Sequence, residues 1–307
     1  MQAEVSIIIP TYNRTSYIKE AVDSVLNQTH PVCEILVIDD GSDESHKRIL
    51  RSLESKSTLL KVVWLDENSG VSHARNRGVE IAKGDYILFL DDDDCIHPEM
   101  VETCLKTFQT HIGTEVVLAG GKLKEQDMSI ISHREKYVSL NTRTLLFLLH
   151  RQNHTALYFI LYGMSLIHSF MFKREVLVKF PFDETLVIGE DTYQWMLLKK
   201  NGTRFRKIPL LGGIYRIHEN QVSQTNKSGS RSYDYILKSM SLLSEGIEKS
   251  CFVWMNKHLI DEFAISFKKK SLSYPIAWVL VKFFMVTNQI QRGLLLRKAK
   301  RNLVPPN

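Results

Sequence analysis

The sequence predicts an α/β fold, in which a mostly parallel central sheet carries helices on both faces. Short runs of β-branched and aromatic residues, typical of buried strands, alternate with segments whose apolar residues recur at helical spacing. This alternation is typical of units in which parallel strands are joined by helical crossovers. The 307 residues suffice for one large or two modest domains with a substantial core.

Five apolar runs predict the strands of this sheet, at residues 5–9, 34–38, 61–65, 86–90 and 115–119. The segments between them predict helices. The first helix begins near Thr15, the second buries Leu50 and Leu53, and the third passes through Ala74. Pro98 is expected to open the fourth helix, because proline is favoured at the first helical position.

Four consecutive aspartates, at residues 91–94, directly follow the fourth predicted strand. Open α/β sheets bind their ligands at the carboxyl ends of their strands, which is where these side chains fall. No lysine or arginine lies beside them in the sequence, so their charges suit a hard divalent cation and the phosphates it carries. A solvated acidic loop is the alternative interpretation.

Polar side chains also follow the first two predicted strands, so they should meet the aspartates at one edge of the sheet. These side chains are Tyr12, Asn13, Arg14, Asp39 and Asp40. This edge predicts a pocket for a nucleoside diphosphate. Tyr12 offers an aromatic face, Asp39 or Asp40 offers acceptors for a base edge, and Arg75 supplies a cation at a helix start. The alternatives are core packing for Tyr12, a surface charge for Arg75, and a capped turn at residues 39–41.

The second half of the chain carries weaker patterns. An apolar run at residues 145–149 predicts one helix, and another helix follows Glu190 and Asp191 and contains Trp195. Asp191 could act only as the N-cap of that helix. Residues 223–231 predict a linker and residues 276–286 an apolar helix, while His154 and His168 are interpreted as structural.

Composition limits the surroundings in which the protein is expected. The four cysteines lack metal-ligand spacing and indicate buried thiols in a reducing compartment. No cleavable signal peptide is expected, and no stretch reaches the roughly 20 apolar residues that span a bilayer. The net charge of +6 lies mostly near the C-terminus. With Trp278 and Phe283 nearby, it predicts either a membrane-interface helix or a core helix with a solvated basic tail.

The chain resembles the inverting glycosyltransferases of family 2, which have the GT-A fold. The matching stretches are VSIIIPTYNR at residues 5–14, LNQT at 26–29, ILVIDDGSD at 35–43, NSGVSHARNRG at 68–78, GDYILFLDDDDCIHP at 84–98 and GED at 189–191. The resemblance implies a GT-A domain over residues 1–222. Its nucleotide-sugar-binding half would span residues 1–121 and its acceptor half 122–222, followed by a basic helical region at 223–307.

The resemblance implies a donor site at the carboxyl edge of the sheet. Tyr12 would stack on the base, Asp40 would accept a hydrogen bond from the base ring, and Arg75 would approach the base or the phosphates. The implied nucleotide-sugar-binding residues are Pro10, Tyr12, Asn13, Arg14, Asp40, Arg75, Asp91 and Asp92.

The resemblance also implies a metal site and a catalytic base. The D-x-D motif of the family falls on Asp91 and Asp93, so that Asp93 would bind Mn2+ or Mg2+ directly and Asp92 would lie near the ribose. Asp191 would be the general base, since direct displacement needs a proton acceptor opposite the leaving group. His218 is expected to be a surface histidine, and a contact with metal or phosphate, as in a loop that closes over the donor in some relatives, is the alternative.

We therefore expect metal-dependent transfer of a sugar from a nucleotide sugar, with a UDP-sugar as the expected donor. The acceptor would be a saccharide or lipid-linked saccharide in the assembly of cell-surface polysaccharide or glycolipid. We expect a cytoplasmic protein with no nucleic-acid partner. If its C-terminal helix is interfacial rather than part of the core, the C-terminal region would also make peripheral contact at the inner face of the membrane. One alternative is a non-catalytic nucleotide-sugar-binding protein. Another, a nicotinamide-dependent oxidoreductase, is disfavoured because residues 10–14 contain no glycine.

Overall fold

A computed structural model describes residues 3–124, 167–187, 189–216, 238–239 and 241–242. Its strands are β1 (Val5–Thr11), β2 (Glu34–Asp39), β3 (Leu60–Trp64), β4 (Tyr86–Phe89), β5 (Cys95–Ile96), β6 (Val116–Lys124), β7 (Phe170–Lys173) and β8 (Phe205–Arg216). Its helices are α1 (Ile18–Leu26), α2 (Glu44–Glu54), α3 (Val71–Ile81), α4 (Met100–Thr110), α5 (Arg174–Lys179) and α6 (Glu190–Lys200). A short 3-10 helix, Ile167–Ser169, precedes β7.

The described strands form one sheet in the order β3-β2-β1-β4-β7-β6-β8-β5. The first four strands in this order pair in parallel, as the strand–helix alternation predicts. The prediction of a mostly parallel central sheet flanked by helices is thus confirmed. Beyond β4 the sheet becomes mixed, because β7 runs antiparallel to both β4 and β6, while β6 and β8 pair in parallel.

Helices cover both faces of the sheet, which explains why β1, β2 and β4 are buried almost throughout, without polar alternation. In β1, Ile7 and Ile9 belong to one buried cluster, together with apolar residues of α1 and α4. Ile8 points to the opposite face and packs in a second cluster, with Ala74 of α3 and Trp195 of α6. Successive strand residues point to opposite faces, so a strand buried on both sides must be apolar throughout.

Three helices begin at positions other than those predicted. α1 begins at Ile18 rather than near Thr15, and α4 begins at Met100, so that Pro98 precedes the helix instead of opening it. α6 begins at Glu190 after Gly189, whose φ of 73° is left-handed. Asp191 is therefore the second residue of the helix, and the N-cap interpretation of this residue is wrong.

Some predicted features lie outside the described residues: the helix at residues 145–149, the linker at 223–231, the apolar helix at 276–286, and His154 and His218. Among the described residues, none of the helices is both long and apolar enough to cross a bilayer. Three of the four cysteines (Cys33, Cys95 and Cys104) lie in the described part of the chain, and all three are free thiols.

Candidate active site

The loops that follow β1 and β2 are joined by hydrogen bonds at the carboxyl edge of the sheet. The backbone N–H of Asn13 donates to Oγ of Ser42 at 2.9 Å, and Oδ1 of Asn13 accepts from the backbone N–H of Asp43 at 2.8 Å. Asn13 has a φ of 50°, a left-handed conformation that asparagine tolerates better than most residues. The TYNR and DDGSD segments therefore form one continuous surface.

The acidic loop after β4 joins the same surface through Arg14. Nη1 of Arg14 donates to Oδ1 of Asp92 at 2.9 Å and also to Oδ2 of Asp93. Thr11, the last residue of β1, donates its hydroxyl to Oδ2 of Asp92 at 2.6 Å. Burial raises the pKa of Asp92 to about 7, even though the Arg14 charge opposes the shift.

Asp40 and Tyr12 lie at the part of the edge where the resemblance implies a base. The carboxylate of Asp40 accepts from the backbone N–H of Ser69 at 2.9 Å and of Gly70 at 2.8 Å, which anchors the start of α3. Each carboxylate oxygen keeps further lone-pair capacity. Tyr12 is 47% exposed, so its ring is available to a ligand and is not packed in the core. Pro10 is buried within β1.

Arg75 is buried, with only 3% of its side chain exposed, and it bridges two carboxylates. Nη2 of Arg75 donates to Oδ1 of Asp91 at 3.0 Å, and Nη1 donates to Oε1 of Glu190 at 2.9 Å. Its guanidinium lies 5.4 Å from the ring centroid of Phe182. The surface-charge interpretation of Arg75 is therefore wrong, since the side chain joins the acidic loop to α6.

Asp191 lies in the first turn of α6, next to the carboxylate that Arg75 binds. Its Oδ1 accepts from the backbone N–H of Thr192 and from the Thr192 hydroxyl at 3.2 Å. Burial and the adjacent charge of Glu190 raise the pKa of Asp191 to about 7, against the opposing charge of Arg75. At neutral pH such a carboxyl group exchanges protons readily, which suits a general base.

Neighbouring carboxylates are committed to other partners. Asp183 accepts a hydrogen bond from Nζ of Lys238. Glu184 accepts from Nδ2 of Asn76 at 2.8 Å and lies 3.0 Å from Nδ1 of His73. Asp183, Glu184 and Glu190 each lie within ion-pair distance of a basic side chain, whereas Asp191 makes no ion pair with another described residue.

The chemistry of the acidic loop fits a divalent cation. Ligand atoms of Asp91, Asp94 and His168 lie within 4.8 Å of one another, and Oδ2 of Asp94 is 3.1 Å from Nδ1 of His168. Carboxylate oxygen and imidazole nitrogen are ligands that Mn2+ accepts. Asp93 adds a further carboxylate, which Arg14 contacts. Sequence reasoning missed His168 because it follows the loop by more than seventy positions and belongs to no motif with it.

Arg216, the last residue of β8, also contacts the acidic loop. The backbone N–H of Arg216 donates to Oδ1 of Asp94 at 2.8 Å, and Nε of Arg216 donates to the carbonyl of Asp93 at 2.9 Å. Nη2 of the same guanidinium donates to Glu20 of α1 at 2.6 Å. Residues of β1, α3 and β8 thus contact the four aspartates, and α6 is joined to them through Arg75.

Comparison with known proteins finds related glycosyltransferases. The family model described as "Glycosyl transferase family 2" matches residues 6–177. TuaG of Bacillus subtilis (strain 168), named as a teichuronic acid biosynthesis glycosyltransferase, is 39% identical over 123 residues. That match covers 40% of this chain and 48% of TuaG, so the chain spans less than half the length of this relative. An uncharacterized glycosyltransferase of Rickettsia typhi is 28% identical over 278 residues, covering 89% of this chain and 83% of that protein.

Solved structures share the fold. S. aureus TarS 1-349 in complex with UDP-GlcNAc has a TM-score of 0.64 at 22% identity, covering 91% of this chain and 79% of that one. The mannosyltransferase PcManGT from Pyrobaculum calidifontis, in complex with GDP-Man and Mn2+, has a TM-score of 0.59 at 16% identity. This alignment covers 99% of this chain and 88% of PcManGT. At these identities the likeness establishes the GT-A fold of the chain.

Proposed function

The chain belongs to glycosyl transferase family 2, and from that premise we propose that it transfers a sugar from a nucleotide sugar to a hydroxyl acceptor with inversion. The observation that carries this proposal is the meeting of an exposed aromatic ring, an acidic loop and the half-buried carboxyl group of Asp191 at one sheet edge. A UDP-sugar is the proposed donor, in keeping with the UDP-GlcNAc complex of TarS.

The donor would lie along the carboxyl edge, with its base at Tyr12 and Asp40. The exposed ring of Tyr12 offers a stacking surface, and Asp40 has acceptor capacity for a uracil N–H. Asp91 and Asp93, with Asp94 and His168 beside them, would hold Mn2+ or Mg2+. When bound, the cation would neutralise charge on the departing diphosphate. Arg14, already directed at Asp92 and Asp93, adds positive charge at the same place.

Asp191 would accept the proton of the acceptor hydroxyl. A sugar hydroxyl is a poor nucleophile at neutral pH, so a carboxylate on the face opposite the leaving group must remove its proton. The pKa of Asp191, raised to about 7, lets the group accept that proton and release it to solvent at physiological pH. Attack of the hydroxyl oxygen then forms the glycosidic bond as the bond to the diphosphate breaks, which inverts the anomeric centre.

The acceptor is proposed to be a saccharide or lipid-linked saccharide, as in the assembly of cell-surface polymers. TuaG is named for teichuronic acid biosynthesis. A chondroitin synthase of Pasteurella multocida (strain Pm70) is 40% identical over 104 residues, which cover 34% of this chain and 11% of that protein. For a lipid-linked acceptor, we propose action at the cytoplasmic face of the membrane, with residues 223–307 making peripheral contact.

The test is release of nucleoside diphosphate from a panel of UDP- and GDP-sugars, with and without membrane extract as the acceptor source. We expect release from a UDP-sugar, its loss in EDTA, and its return on adding Mn2+ or Mg2+. Full activity in excess EDTA would contradict the metal role. Tight UDP binding without release from any donor would instead identify a non-catalytic nucleotide-sugar-binding protein.

A further inference from the structure

The bridge formed by Arg75 joins two parts of the site that are far apart in the sequence. Asp91 belongs to the acidic loop after β4, and Glu190 is the first residue of α6. The guanidinium lies between them, 3.0 Å from Oδ1 of Asp91 and 2.9 Å from Oε1 of Glu190. Because Arg75 is almost completely buried, water screens these two ion pairs much less than it screens pairs at the surface.

Glu190 and Asp191 are consecutive residues with different partners. The side chain of Glu190 is directed to Arg75, whereas the carboxylate of Asp191 contacts only Thr192 among the hydrogen bonds of the described residues. The first turn of α6 follows Gly189, which has a left-handed backbone conformation. The hydrogen bonds that Arg75 donates to Glu190 and to Asp91 tie this turn to the acidic loop.

We propose that Glu190 is a positioning residue for sugar transfer. It holds Arg75, and Arg75 holds Asp91, so that the acidic loop and the turn carrying Asp191 stay at a fixed distance from each other. Glu190 itself touches neither substrate. This inference rests on the proposed function, because it takes Asp191 as the base and Asp91 as part of the donor site.

The same arrangement sets the charge around Asp191. Among the described residues, the charged groups that face it are Glu190 from its own helix, Arg75 from α3, and Asp91 from the loop after β4. The two carboxylates favour the protonated form of Asp191, and Arg75 favours the ionised form. Removing Glu190 or Arg75 should therefore move the titration of Asp191 in opposite directions.

The test compares Glu190→Gln, Glu190→Ala and Arg75→Gln with a control, Glu80→Gln. Glu80 lies on α3 and pairs with Arg77 at the surface, so its substitution removes the same charge away from the site. The pH dependence of kcat is measured for each variant, together with the affinity for UDP in Mn2+ by calorimetry. Thermal melting checks that each variant folds.

In Glu190→Gln the amide oxygen still accepts from Arg75, so UDP affinity should stay within about twofold of wild type. The acid limb of the kcat profile, where kcat falls at low pH as Asp191 is protonated, should move to lower pH. Arg75→Gln should move that limb to higher pH. Glu190→Ala loses the bond itself, so its kcat should fall by roughly tenfold or more, as expected for a buried charged hydrogen bond. Its UDP affinity should weaken as well, because Arg75 is no longer held by Glu190 and therefore positions Asp91 less firmly.

Two outcomes separate this inference from the proposed function. If Glu190→Gln and Glu190→Ala keep the kcat, acid limb and UDP affinity of Glu80→Gln, Glu190 has no positioning role, whatever the reaction. If Asp191→Asn retains the wild-type rate and acid limb, the base is another group, and the proposed mechanism fails while the effect of Glu190 on UDP affinity can still be observed. A Glu190→Ala variant that does not fold leaves Glu190→Gln and Arg75→Gln to decide, through the direction of their shifts.

Discussion

Single side chains in this site differ in how many partners they already have. Asp40 accepts two backbone N–H groups, Arg75 binds two carboxylates, and Asp92 is bound by Arg14 and Thr11. Asp191 is bound only by its neighbour Thr192 within the described residues. A carboxylate with few hydrogen-bond partners can exchange a proton without breaking contacts that hold the fold. Substitutions can therefore separate the catalytic role of Asp191 from the structural roles of the other residues.

Replacing Asp191 with Asn should abolish most of the transfer activity and leave the fold intact. The asparagine carbonyl can still accept the hydrogen bonds of Thr192, so the first turn of α6 keeps its geometry, but the side chain no longer takes a proton. We expect kcat to fall by roughly 10²–10⁴-fold, the usual contribution of general base catalysis. UDP affinity and melting temperature should match wild type. A comparable rate in the variant would show that the base lies elsewhere.

Replacing Asp40 with Ala should weaken UDP binding by about 1–3 kcal/mol, the range for a buried hydrogen bond to a charged group. The substitution also frees the backbone N–H groups of Ser69 and Gly70, so some loss of thermal stability is expected. Inorganic pyrophosphate with Mn2+ provides the control, because it lacks a base. Calorimetry should show weaker UDP binding and unchanged pyrophosphate binding, and an equal loss for both would assign Asp40 a purely structural role.

At the scale of elements, the site depends on how closely α3 packs against β1. α3 carries Arg75 on the side of the acidic loop and presents Gly78 to the sheet. A Cβ atom at Gly78 would lie only 2.5 Å from Cγ2 of Ile8, in the middle of β1. The absence of a side chain there lets the helix approach the strand closely enough for Arg75 to reach Asp91.

Replacing Gly78 with Ala should therefore destabilise the protein, although alanine favours helix by about 1 kcal/mol over glycine. The added methyl group overpacks a buried contact, which typically costs about 1–3 kcal/mol. The matched test combines Gly78→Ala with Ile8→Ala, which removes the atoms that would clash. Urea unfolding should show a smaller cost of the glycine substitution in that background, and an equal cost in both would mean that the close approach is not what requires glycine.

At the scale of the whole molecule, the acidic loop gathers charge that folding must bury. Asp92, Asp93 and Asp94 are all largely buried. The charge of Arg14, the backbone N–H of Arg216 and the imidazole of His168 oppose the repulsion between them. Burial raises the pKa of both Asp92 and Asp94 above the ordinary value of 3.8. The protein therefore gives up some stability to concentrate carboxylates at one point, as is common at functional sites.

This burial predicts that, in EDTA, stability declines as pH rises towards neutrality. A carboxyl group whose pKa is higher in the folded state binds its proton more tightly when folded, so its contribution is present at low pH and lost as pH rises. For Asp92 the window runs from 3.8 to about 7. His46, whose pKa is lowered by burial, acts in the opposite direction below 6.5. The measurement must therefore compare variants.

Urea unfolding of wild type and Asp92→Asn, at about pH 5 and about pH 8 in EDTA, isolates the contribution of this one group. Wild type should lose more free energy of unfolding between the two pH values than Asp92→Asn does, since asparagine does not titrate. A difference between the two proteins that is the same at both pH values would contradict the raised pKa of Asp92.

The sequence by itself determined the alternation of strands and helices, the parallel half of the sheet, and the edge at which residues 12–14, 39–43 and 91–94 meet. These features depend on local periodicity and on a topological rule, since crossover connections bring the carboxyl ends of parallel strands together. It also indicated the family, because the motifs around Tyr12, Asp40, Arg75 and Asp91 stand in the chain as contiguous stretches.

Only the tertiary structure decided which partner each charged group takes. Arg75 bridges Asp91 and Glu190, and Asp94 meets His168 and Arg216, through contacts between residues that no local pattern relates. The antiparallel strand β7 and the start of α6 at Glu190 were likewise invisible to periodicity. The reason is physical: an ion pair or a pKa shift depends on distance and burial in space, and chain packing sets both only after the elements have formed.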